Sequence, residues 1–123
     1  MTALDDLREY CNSKPGAVED FPFDEVTLVV KVRGKIFALM ATDQNPDTPN
    51  INLKCEPALA EMLRETYPAV VPGYHMNKRH WNTVTVDGSI PEPEIHEMID
   101  HSYEQVVKSL PRKEREALMG GTM

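Results

Sequence analysis

At 123 residues, with 41% hydrophobic and 27% charged side chains, the chain has the size and composition of one folded domain, too short for two independent cores. No apolar run approaches the roughly 20 residues that cross a bilayer, which excludes a membrane-spanning helix. Thirteen basic residues against twenty acidic ones give a net charge of −7, a field that repels polyanions at long range, so any nucleic-acid site has to be a local patch.

The start, Met1-Thr2-Ala3-Leu4-Asp5-Asp6, carries acid where a targeting peptide carries base, and the expected setting is cytoplasmic. Thr2-x-x-Asp5 reads as a helix cap, followed by Leu4, Leu7 and Cys11 at helical spacing and an end near Asn12. Lys14-Pro15-Gly16 breaks that helix, and Phe21-Pro22-Phe23 reads as a loop anchored to the core by both rings. Val26 to Val32 and Lys35 to Met40 form a hairpin across Arg33-Gly34. A simple register sets Val32 opposite Lys35, Val30 opposite Phe37 and Leu28 opposite Leu39, leaving Thr27, Val29, Lys31, Ile36 and Ala38 on the other side.

Beyond the polar loop Asp43 to Asn50, Ile51 to Cys55 alternates as a strand, and Pro57 opens a second helix with Leu59, Met62 and Leu63 as its inner stripe. Pro68 stops it. Tyr74 to Met76 and Trp81 to Val86 read as a second hairpin around Asn77-Lys78-Arg79-His80. A third helix starts near Pro93, buries Ile95, Met98, Ile99, Val106 and Leu110, and ends at Pro111. A short charged helix follows to Leu118, and residues 119–123 read as a frayed tail. The expectation is one α+β domain over 1–118, in the order α-β-β-β-α-β-β-α: a two-layer sandwich with a five-stranded antiparallel sheet and helices on one face.

Chemistry concentrates in Pro72 to Thr83, which gathers base, amides, aromatics and the single tryptophan. As a hairpin it turns Tyr74, Met76, Trp81 and Thr83 to one face, with Lys78 and Arg79 at the tip and Lys31, Asn52 and Lys54 on the same side. Rings beside cations suit single-stranded nucleic acid or a flat anion. The candidate set is therefore Lys31, Asn52, Lys54, Tyr74, His75, Asn77, Lys78, Arg79, His80, Trp81 and Thr83. The plainer reading makes Trp81 and Tyr74 ordinary packing and Lys78-Arg79 a solvated turn.

Other chemistry is weak. His96 with Asp100, and Glu97 with His101, sit four apart on a helix, but two ligands do not make a metal site, and no metal or cofactor is expected. Cys11 and Cys55 are far apart and read as buried thiols. Without a nucleophile elbow or a glycine-rich phosphate loop, the chain reads as a non-enzyme, and the carboxylates of Glu19-Asp20 and Asp43 to Asp47 as solvated loop residues. Two further readings stand beside nucleic-acid binding. One is a protein-interaction or chaperone-like module, a monomer or weak homodimer, using a sheet side with Val29, Ile36 and Ala38. The other is a small-ligand pocket beside His75 or His80.

Lys14-Pro15-Gly16-Ala17, Phe21-Pro22-Phe23, Lys31 to Ala38, Asn52 to Cys55, Pro72 to Val84 and Met98-Ile99-Asp100-x-Ser102-Tyr103 together resemble the YjbR/MmcQ family over nearly the full length. The resemblance implies a bacterial cytoplasmic protein with a CyaY-like or secretion-chaperone-like two-layer fold. It also brings a DNA-binding label that rests on fold analogy, and no enzyme activity.

Overall fold

The capping residues act as their spacing predicts: the Thr2 hydroxyl accepts from Asp5 N at 3.1 Å, while Asp5 accepts from Thr2 N at 3.2 Å. The computed structural model describes residues 1–73 and 77–120. In chain order these form α1 (Ala3–Asn12), β1 (Ala17–Asp20), β2 (Thr27–Val32), β3 (Lys35–Ala41), β4 (Asn50–Lys54), α2 (Pro57–Thr66), β5 (Val70–Pro72), β6 (Trp81–Thr85), α3 (Glu92–Lys108) and α4 (Arg112–Gly120). All strands join one antiparallel sheet in the order β1-β2-β3-β4-β6-β5. The α+β class holds, with six strands among the described residues rather than the expected five.

Two strands, β1 and β5, lie where none was expected, and the first is β1, four residues with alternating exposure between Gly16 and Pro22. Its own β signal is weak, and it is held from outside. Arg8 of α1 grips Glu19 with two hydrogen bonds of 3.1 and 2.9 Å, and Lys31 of β2 pairs with Asp20 at 2.7 Å. At the other edge β5 is Val70–Pro72, a place where a proline lacking a donor is tolerated. The strand expected at Tyr74 to Met76 falls outside the described residues, as do residues 121–123 of the expected tail, whereas 119 and 120 belong to α4.

The β2–β3 hairpin departs from its simple register. Val32 does face Lys35 and Lys31 faces Ile36, but Val30 then faces Ala38 and Leu28 faces Met40, so Phe37 is an extra residue in a β-bulge. The bulge turns Ala38 inward, fully buried in the core beside Phe37, instead of outward as expected. The β3–β4 pairing stops at Ala38–Leu53, one residue short of Phe37 and Lys54. Ser102 of α3, itself fully buried, repairs this: its hydroxyl donates to Phe37 O at 2.5 Å and accepts from Lys54 N at 2.8 Å.

The core lies between one sheet face and the helices. Leu4, Leu7 and Cys11 of α1 and Ile95, Met98, Ile99 and Val106 of α3 meet Leu28, Val30, Val32, Phe37, Met40, Ile51, Leu53 and Val84. Two expected anchors are absent from it. Phe21 and Phe23 are 43% and 65% exposed, their loop being closed instead by Asp24, whose carboxylate accepts from Val26 N and Thr27 N. Met62 is 54% exposed, because Ala60 is the residue that α2 turns inward. Cys11 and Cys55 are both buried free thiols, and burial pushes their pKa values up to about 12 and about 11.

A polar clasp ties α1 to α3. The Tyr10 ring stacks on His96 at 3.8 Å, its hydroxyl donates to Asp100 at 2.7 Å, and Lys14 pairs with the same carboxylate. These side chains take up the histidine and aspartate whose spacing raised the metal question. Burial works to raise the Asp100 pKa, but Lys14 and Tyr10 hold it below the ordinary 3.8, and the Arg8 guanidinium likewise holds Glu19 below 4.5. Depressed carboxyls stabilise fully above their unfolded values and lose that contribution as pH falls through the folded ones. Stability is therefore expected to stay level from about pH 7 to about pH 5 and to fall below about pH 4. The double variant Asp100→Asn, Glu19→Gln should be less stable at neutral pH and show a shallower acid limb in urea titrations. An unchanged acid limb would contradict this account.

Candidate nucleic-acid interface

Strand direction sorts the charges. At the end of the sheet where β2 turns into β3, the chain carries Arg33, Lys35, Lys54, Lys78 and Arg79, and α3 arrives there with Lys108. The loops at the opposite end, residues 21–26, 42–49 and 86–91, hold Asp24, Glu25, Asp43, Asp47 and Asp87. Glu56, the N-cap of α2, stands at the basic end too, so a chain of net charge −7 has one end at which bases outnumber acid.

At that end lies an open pocket of about 440 Å³ lined by Lys54, Asn77, His80, Trp81, Gln105, Lys108 and Ser109. Its shape follows from the sheet. Pairing between β3 and β4 is confined to Ala38–Leu53 and Leu39–Asn52, so Lys54 lies beyond that ladder, with Trp81 directly across from it on β6. The turn ahead of Trp81 is fixed by Asn77, whose carbonyl accepts from His80 N and Trp81 N and whose side chain accepts from Arg79 N at 3.0 Å. On the far side Lys35 reaches Ser109 at 3.3 Å, tying the β2–β3 turn to the end of α3.

Two residues outside the pocket seat the tryptophan. Gly73 N donates to Trp81 O at 2.8 Å, and a β-carbon on Gly73 would lie 2.8 Å from Trp81 Cβ, so only glycine allows this approach. Arg64 of α2 spreads its guanidinium over the turn: Nε donates to Asn82 Oδ1 at 2.7 Å, and Nη2 to Lys78 O and, at 3.3 Å, to Trp81 O. Lys108 in the last turn of α3 offsets the negative end of the helix dipole, so the pocket's surplus positive charge comes from Lys54, with Lys78 and Arg79 exposed on the adjacent turn. Among the described residues, Lys54, Lys78 and Arg79 have no ion-pair partner, whereas Lys108 lies in the field of the Glu56 carboxylate.

Of the candidates from the sequence, Lys54, Asn77, His80 and Trp81 come together in this pocket. Lys31 does not, being spent on Asp20. Asn52 accepts the Thr83 hydroxyl at 2.5 Å on the sheet face away from the core. Tyr74 and His75 lie outside the described residues. Trp81 is half-buried, between the open platform and the core packing that the sequence allowed. Sequence reasoning missed Gln105, Lys108 and Ser109, which come from the end of α3, and Arg64. The sheet side nominated for protein interaction shrinks as well, because Val29 and Ala38 are fully buried.

The molecule is thus a small domain with a six-stranded antiparallel sheet, helices on one face, and a basic pocket with an aromatic wall at one end of the strands. The chain belongs to the YjbR family, whose model matches residues 12–105. It is 39% identical over 116 residues to the Escherichia coli K12 protein YjbR, covering 94% of this chain and 97% of that one. It is 27% identical over 115 residues to Bacillus subtilis YyaQ, covering 84% and 97%. The crystal structure of a Deinococcus radiodurans protein of the DUF419 domain superposes with a TM-score of 0.88 at 40% identity, covering 97% of this chain and 89% of that one.

Proposed function

We propose that the protein is a non-enzymatic binding module that takes an anionic partner, single-stranded nucleic acid in particular, at the basic end of its sheet. The observation that carries this reading is that Lys54, His80, Trp81 and Lys108 line one open pocket, with exposed Lys78 and Arg79 on the turn beside it. A base stacks on the exposed part of the Trp81 ring while the backbone phosphates follow the lysines. The loop acids Asp24, Glu25, Asp43, Asp47 and Asp87 gather at the opposite end, and screening at about 8 Å in physiological salt confines their field to that neighbourhood. The same proposal carries a cytoplasmic setting, in keeping with two buried thiols, and a CyaY-like or secretion-chaperone-like layering.

Fluorescence anisotropy with labelled single-stranded and duplex oligonucleotides tests it. Single strands are expected to bind at low salt, to quench Trp81, and to show a log–log salt slope of about −2 for some three neutralised phosphates. Changing Lys54 and Lys108 together to alanine should weaken binding about tenfold and flatten that slope by roughly one unit. No binding at low ionic strength, or a double variant that binds like the parent, sinks the proposal.

A further inference from the structure

We infer that the groove between α2 and α3 is a second binding site, for a neutral, ring-sized aromatic carboxamide or close chemical equivalent. The two helices are joined at both ends by polar clasps. At one, His101 Nε2 accepts from Glu56 N, the N-cap of α2, at 3.1 Å; at the other, the hydroxyl of Tyr67, its C-cap, bonds to Glu94. Between the clasps the helices enclose about 260 Å³, floored by Leu53, Asn82 and Val84 and walled by Leu59, Leu63 and Met98.

The apolar stripe of α2 is unfinished. Leu4 and Leu7 of α1 and Ile95 and Ile99 of α3 are buried, whereas Leu59 and Leu63 remain half-buried beside this space. An apolar occupant completes their burial, which is the main source of affinity for a small ligand. An engineered cavity of about 150 Å³ holds benzene, so this groove accommodates a ring with one substituent, on the order of nine or ten non-hydrogen atoms.

Its polar groups choose the substituent. Asn82 is 2% exposed, and its oxygen is taken by Arg64, which fixes the flip of the amide. Its nitrogen, whose bond to Ala60 O is a long 3.5 Å, is left as a donor in the groove floor, where a ligand carbonyl can accept. Glu94 and Glu97 line the α3 side, so a carboxylate is repelled there while an amide N–H finds an acceptor. Lys54 closes the opposite end and is shared with the basic pocket.

The probe is benzamide, with benzoate as its anionic counterpart, titrated into the full chain carrying ¹³C-labelled leucine and methionine methyls. Benzamide should shift the Leu59, Leu63 and Met98 signals saturably, with a midpoint on the order of a millimolar. Benzoate should bind about tenfold more weakly, and Glu97→Gln should narrow that gap. Leu63→Trp, which fills the groove from a half-buried helix position, should abolish the shifts at Leu59 and Met98 while keeping native signal dispersion. Non-saturating shifts, equal binding of benzoate, or benzamide binding that survives Leu63→Trp overturns the inference. The groove shares Lys54 with the basic pocket, but its occupancy is read at Leu59, Leu63 and Met98, so its outcome stands whether or not oligonucleotides bind.

Discussion

Ser102→Ala is expected to cost about 3 kcal/mol and to lower the melting temperature by about 10 °C, although it removes one oxygen atom. The hydroxyl is the shared partner of two backbone groups just beyond the end of the β3–β4 pairing, the Phe37 carbonyl and the Lys54 amide. Ser102 is fully buried. Alanine therefore leaves a donor and an acceptor unpaired in a low-dielectric site, at roughly 1–3 kcal/mol each. Urea unfolding measures the loss, and hydrogen exchange at the Lys54 amide locates it. A loss below about 1 kcal/mol, with that amide still protected, would mean that the two strands close on each other and that the serine is dispensable.

The hydroxyl also explains which parts of the fold were legible. Helices α1 and α3 announced themselves through capping and a 3.6-residue period, and β2, β3 and β4 through β-branched runs and alternation. The bulge left no comparable mark: inserting Phe37 between Ile36 and Ala38 changes no propensity, and only the pairing reveals that Ala38 has turned inward. Strands β1 and β5 are short edge segments, one acidic and one ending in proline, and β1 is held by Arg8 and Lys31 rather than by a propensity of its own.

The candidate site was half legible for a related reason. Asn77, His80 and Trp81 are near neighbours in sequence and were visible as a cluster, and alternation on β4 added Lys54. Lys31 looked equivalent until Asp20 claimed it. The α3 contribution, Gln105, Lys108 and Ser109, depends on where a seventeen-residue helix ends relative to the sheet, which is a tertiary fact. The net charge hides this arrangement because it sums over ends that differ in charge. Sorting the loops by the sheet end they occupy separates Arg33, Lys78 and Arg79 from Asp24, Asp43, Asp47 and Asp87.

Arg64→Ala is expected to disorganise the basic pocket without removing any residue that lines it. The guanidinium joins three groups on one segment, the carbonyls of Lys78 and Trp81 and the side chain of Asn82, and so sets the turn that carries Lys78, Arg79 and His80. Its loss leaves the buried Asn82 oxygen without its charged donor, at a cost of about 2–3 kcal/mol. Since Trp81 is the single tryptophan, its emission reports on the turn directly: a red shift and freer access to a soluble quencher are expected. Lysine, a point charge without the planar fork, cannot serve three acceptors at once, so Arg64→Lys should restore little of the parent spectrum. Oligonucleotide affinity should fall with the spectral change, about tenfold, because ordering the turn then has to occur on binding. If Arg64→Ala keeps the parent emission and quenching, the turn holds itself through Asn77 and Gly73 alone, and the role assigned to α2 in building the pocket is wrong.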